Sequence, residues 1–181
     1  KGPYTQGITI NTEGTVVINV TGEVTVTAPE SDKKFYFITI EKADSVIIDD
    51  AAQYPVTVNG GSAIYNKGGN LTLNGGKYSC SGNSTAFTLS NGINQVENVT
   101  IKSKYDAIDV TYNCDSAVIE NSEIIKQYEG SAYEGGIVCR TTNGTLDLDH
   151  VTVHALEGNA LELVCGTITI EEGEYTASDG G

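Results

Sequence analysis

With one arginine and two histidines among 181 residues, the chain's candidate chemistry rests mainly on carboxylates and tyrosines. General acid–base hydrolysis needs two carboxylates facing one bond, roughly 5–9.5 Å apart. Asp49 and Asp50 are sequence neighbours, and neighbours on a strand point to opposite faces. Asp106 lies three residues from Asp109 and need not share its face, while Asp147 and Asp149 share a side only if the adjoining corner permits. A second constellation is Asp109, Arg140 and Glu162. A third is the segment 126–134, where Tyr128 and Tyr133 could stack on sugar rings. Glu134, with Asp106 and Asp109 nearby, could accept hydrogen bonds from sugar hydroxyls. There is no CxxC pair, and His150 and His154 are too few to suggest zinc. The 24 acidic residues leave room for Ca²⁺, although such acidity also simply keeps an extracellular β-protein soluble.

A repeated phrase sets the positions of these residues. Leu73-Asn74-Gly75-Gly76-Lys77-Tyr78 recurs as Val96-Glu97-Asn98-Val99-Thr100-Ile101, Ile119-Glu120-Asn121-Ser122-Glu123-Ile124, Leu148-Asp149-His150-Val151-Thr152-Val153 and Ile170-Glu171-Glu172-Gly173-Glu174-Tyr175. Its third positions, 75, 98, 121, 150 and 172, are spaced by 23, 23, 29 and 22 residues. A period in that range means stacked copies of one supersecondary unit. A second motif precedes each copy, as in Asp106-Ala107-Ile108-Asp109-Val110 and Asn159-Ala160-Leu161-Glu162-Leu163. Its alternation marks a strand with one face inside.

Each repeat therefore holds three short strands. The corner between the second and third demands a residue that tolerates left-handed geometry. Gly75, Asn98 and Asn121 suit it, His150 fits fairly well, and Glu172 fits poorly. Three strands with so tight a corner can coil, each turn pairing in parallel with the next about 4.8 Å away. Ile64, Phe87, Ile108, Ile137 and Leu161 then stack inside, as do Tyr78, Ile101, Ile124, Val153 and Tyr175. On the outer face of the first strand, Tyr65, Thr88, Asp109, Val138 and Glu162 form one column. Lys67, Ser90, Thr111, Arg140 and Val164 form the next. The 29-residue interval marks an insertion of about six residues beside the face bearing Asp109.

Residues 1–61 read as degenerate N-terminal turns with a cap, and 62–181 as the regular turns. A sixth copy that opens at Ser178 and is cut off suggests a piece of a longer chain, monomeric as it stands. The composition is 21 Gly, 3 Pro and no Met or Trp, and the apolar runs are rich in Val, Ile and Thr, favouring strands over helices. A formal charge of −14 argues against nucleic acid or an anionic membrane surface as partner. No apolar run is long enough to insert into a membrane. Four cysteines permit three full pairings. Cys139 takes an inward position, Cys114 and Cys165 lie in first-to-second-strand corners, and buried free thiols are the expectation.

The phrases, with the Asn98 and Asn121 corners, resemble the repeats of right-handed parallel β-helix proteins of the pectate-lyase-like superfamily. The resemblance covers residues 62–181 and implies an all-β, right-handed parallel β-helix of six or seven turns, each about 22–24 residues. It further implies a bacterial secreted or cell-surface protein. Polysaccharide lyases of this fold abstract a proton with Arg or Lys while Ca²⁺ on acidic side chains neutralises the uronate. That assigns Arg140 as base and Asp109 and Glu162 as metal ligands, but Thr88 and Val138 interrupt the Asp-rich ladder of the family. The leading expectation is thus a non-catalytic, adhesin-like or carbohydrate-binding module needing no cofactor. Its partner would be a polysaccharide, a host or cell-surface glycan, or a protein. A lyase or hydrolase acting on acidic polysaccharide is the first alternative and a structural stalk the second.

Overall fold

The computed structural model describes residues 4–30, 34–127 and 135–178. Alternating apolar residues build seven stacked turns. The first holds β1 (Ile8–Asn11), β2 (Thr15–Asn19) and β3 (Val24–Thr27), and the second holds β4 (Tyr36–Lys42) and β5 (Ser45–Asn59). β6 (Ser62–Asn66) and β7 (Asn70–Cys80) make the third. The fourth comprises β8 (Phe87–Leu89), β9 (Gly92–Glu97) and β10 (Thr100–Ser103). The fifth comprises β11 (Ile108–Val110), β12 (Cys114–Glu120) and β13 (Glu123–Lys126). β14 (Gly135–Cys139), β15 (Thr145–Asp149) and β16 (Val151–Ala155) form the sixth, and β17 (Asn159–Leu163), β18 (Thr167–Ile170) and β19 (Gly173–Ala177) the seventh. The chain is all-β, and its ladders run parallel from turn to turn: a parallel β-helix.

The first strands of all turns make a seven-stranded sheet, β1-β4-β6-β8-β11-β14-β17. The second and third strands share a twelve-stranded sheet instead of forming two. β5 and β7 each pass through the corner as one strand, β7 with Gly75 and Gly76 at positive φ and β5 with Gln53 at positive φ, while the ladder between them shifts register between Asp50 and Pro55. Gly75, Asn98, Asn121 and His150 all have positive φ there, and Glu172 does not.

The expected columns stack in register. Ile64, Phe87, Ile108 and Ile137 are fully buried above one another, as are Ile101, Ile124 and Val153, with Tyr78 nearly so. Fully burying each such side chain contributes about 1.5–3 kcal/mol. Leu161 and Tyr175, in the seventh turn, are only partly buried, and inward-facing Leu163 and Ile170 are 54% and 48% exposed. Polar groups enter the core at corners, where they bond to each other. Asn66 Nδ2 donates to Asn94 Oδ1 at 2.8 Å, and Thr141 Oγ1 donates to the Cys114 carbonyl at 2.6 Å. The fully buried Lys126 donates from Nζ to the Glu157 carbonyl at 2.7 Å.

Candidate functional site

The outer face of the seven-stranded sheet carries Thr9, Thr39, Tyr65, Thr88, Asp109, Val138 and Glu162, each beside the next. Toward its later turns, Arg140 Nε donates to Asp109 Oδ1 at 3.2 Å, with the two side chains 29% and 18% exposed. Burial pushes the Asp109 carboxyl above its ordinary value. Arg140 pulls it back, and the charge of Glu162 pushes it up again. Glu162 sits two turns from Asp109, and its Oε2 is buried without a hydrogen-bond partner among the described residues.

This part of the face differs from its reading as an open outward column. Val138, between Asp109 and Glu162, is completely buried. Asp106 is nearly so at 8%, and its backbone carbonyl accepts the Ser103 hydroxyl at 3.0 Å. Tyr128, Tyr133 and Glu134 lie outside the described residues. Among the described residues, no group of three or more His, Cys, Asp or Glu side chains is placed to hold a metal ion. The structure therefore joins Asp109 and Arg140 as a half-buried ion pair, with Glu162 acting on it only through charge.

At the other end the same face opens into a groove of about 620 Å³. Tyr36 packs against Tyr65 with ring centroids 4.8 Å apart and planes inclined by 45°. Lys67 Nζ lies 4.9 Å from the Tyr65 centroid and pairs with Glu41 at 2.6 Å. Gln6 and Thr39 add polar groups to the lining. Alternation with the buried Ile38 and Ile40 would put Tyr36 inside, so its role is hidden from a periodicity reading. Only Tyr65 and Lys67, in the outward columns, were legible.

The second face holds a column that could have been read from the repeat. Asp49, Asn74, Glu97, Glu120 and Asp149 align in register outside the twelve-stranded sheet. From Asn74 onward these are the second positions of the repeated phrase. Asn74 Nδ2 donates to Asp49 Oδ1 at 3.2 Å, and Asn98 Nδ2 donates to Asn74 Oδ1 at 3.3 Å. At the corner beside the column, His150 places Nδ1 2.6 Å from Asp149 and Nε2 3.0 Å from Glu172. A neutral imidazole can donate from only one nitrogen, so this arrangement suits the cation. The hydrogen bond to Asp149, its charge and that of Glu172 raise the His150 pKa.

A further carboxyl is buried under the twelve-stranded sheet. Asp50 is completely buried, and its Oδ1 accepts the Tyr54 amide at 3.0 Å. Among the described residues, neither its Oδ2 nor the buried Tyr78 hydroxyl has a hydrogen-bond partner. Burial raises the pKa of both groups, and the charge of Asp50 adds to the shift at Tyr78.

Compared with protein-family models, curated proteins and solved structures, the chain matches none.

Proposed function

We propose that the chain is a non-catalytic module of a bacterial secreted or cell-surface protein, pectate-lyase-like in architecture, that binds a polysaccharide or cell-surface glycan along the outer face of the seven-stranded sheet. The observation that carries this reading is the open groove holding Tyr36 and Tyr65 beside the Lys67–Glu41 pair. Tyrosine rings offer an apolar face to a sugar ring, and the flanking charged and amide groups can exchange hydrogen bonds with hydroxyls. The net charge of −14 disfavours phosphate backbones as the alternative partner.

The lyase reading has less support. Arg140, the base it would use, is bonded to Asp109 next to a fully covered Val138. Appearance of unsaturated uronate from polygalacturonate with Ca²⁺, lost in Arg140→Ala, would restore it. For the binding reading, a glycan array should yield ligands. Tyr36→Ala and Tyr65→Ala should each weaken binding of such a ligand about tenfold, the value of one aromatic contact, with the fold retained by circular dichroism. An array without ligands, or ligands indifferent to both substitutions, would sink it.

A further inference from the structure

We propose that Cys139 and Cys165 are a disulfide-forming pair that staples the sixth turn to the seventh when the protein folds in an oxidising thiol pool. All four cysteines are reduced in this structure, yet these two are interlocked. The Cys165 amide nitrogen lies 3.4 Å from the carbonyl oxygen of Cys139. With the N–Cα, C=O and Cα–C bond lengths added, the two α-carbons are at most about 7.6 Å apart, and the bends at the amide and the carbonyl bring them closer than that bound. Disulfides span about 4.4–6.8 Å. The sulfurs reach across in both directions: Cys139 Sγ donates to the Cys165 carbonyl at 3.5 Å, and Cys165 Sγ donates to the carbonyl of Arg140, next to Cys139, at 2.8 Å. Side-chain rotation away from those two carbonyls is the movement the bond requires.

The other two cysteines are held differently. Cys114 Sγ accepts from Asn94 Nδ2 at 3.4 Å and approaches the carbonyls of Gly92 and Ser116, and Cys139 is near enough for its charge to add to burial in raising the Cys114 thiol pKa. Cys80 ends β7, in the other sheet. Cys114 and Cys165 each lie one turn from Cys139, but only Cys165 has its sulfur hydrogen-bonded to the residue beside Cys139 and its carbonyl hydrogen-bonded to the Cys139 sulfur, so the geometry favours Cys165. Cys165 is partly exposed and Cys139 is buried, which sets the order of events. The Cys165 thiolate attacks one sulfur of a disulfide such as oxidised glutathione and expels a glutathione thiolate. The Cys139 thiolate then attacks the Cys165 sulfur of the mixed disulfide and expels the second. The two cysteines lose two protons and two electrons, and one oxidised glutathione becomes two reduced molecules.

The test is to refold the whole chain from denaturant in a glutathione redox buffer, count thiols, and map the linked peptides. Two of four thiols should disappear, in one link between residues 139 and 165. The melting temperature should rise by roughly 5–10 °C for a loop of this length, reversibly with dithiothreitol. Cys80→Ser and Cys114→Ser should behave the same way, whereas Cys165→Ser should form no intramolecular link. Four surviving thiols, a link between any other pair, or a stable glutathione adduct without an internal link would overturn the proposal.

Discussion

Asp50 shows how one side chain can oppose the fold that holds it. Its Oδ1 closes the wide corner of β5 through the Tyr54 amide, and its Oδ2 ends in the core without a partner among the described residues. Burial is the largest cause of its raised pKa, the charge of Asp49 adds to it, and the Tyr54 hydrogen bond opposes it. A carboxyl raised in the folded state binds its proton more tightly there than in the unfolded chain. Its stabilising effect is complete below the ordinary value of 3.8 and fades as pH rises through the folded pKa. Asp50→Asn keeps the acceptor for Tyr54 and cannot ionise. The variant should therefore gain on the wild type as pH rises above about 4, the difference levelling off once Asp50 is fully ionised in the folded protein. Parallel stability–pH curves for the two proteins in urea unfolding would contradict this. Asp109 titrates in both proteins, so the difference isolates Asp50.

At the scale of the element, the second-to-third-strand corner decides whether a turn can bend without losing its ladder. Gly75 has φ +83°, and a Cβ there would lie 2.3 Å from the Asp50 carbonyl oxygen of the preceding turn. Asn121 takes the same kind of backbone at φ 48° with an exposed side chain. The two corners are equivalent in sequence position but not in tolerance. Gly75→Ala combines left-handed strain with a backbone collision and should cost at least about 2 kcal/mol, read as a lower urea midpoint with unchanged slope. Asn121→Gly relieves the strain and should change stability by less than about 1 kcal/mol. A cost for Gly75→Ala no larger than left-handed strain alone, about 1 kcal/mol, would mean that backbone conformation and not the closeness of the neighbouring turn sets the constraint.

At the scale of the molecule, stacking aligns side chains that the sequence keeps more than twenty residues apart. This gives the seven turns their continuous core, and it also lines up like charges. Glu97, Glu120 and Asp149 occupy three successive turns in one outward column, with strands about 4.8 Å apart. Like charges directly opposite each other destabilise a sheet, and salt screens them. Raising NaCl from about 10 mM to about 150 mM should raise the melting temperature by a few degrees, and Glu120→Gln should reduce that dependence. A melting temperature that is flat or falls with salt would show that the ladder carries no net repulsion.

The stacked inside was legible because strand alternation and corner geometry are local properties. Ile108 needs only its own repeat to be assigned inward, and Asn98 only its own corner. The acidic column was equally present in the phrase's second position. What faces a groove, or is covered, was not legible. Tyr36 breaks alternation where its strand begins, Val138 is buried at an outward position, and the Cys114 sulfur accepts from Asn94 of the fourth turn. Each outcome depends on atoms contributed by another turn. The amino-acid sequence by itself determined the coil, its period and its apolar columns, because those follow from backbone preferences repeated every turn. Only the tertiary structure decided that Tyr36 meets Tyr65, that Arg140 reaches Asp109 and that Cys139 lies against Cys165. Those contacts run between turns, where register, side-chain rotation and burial are set by neighbours distant in the chain.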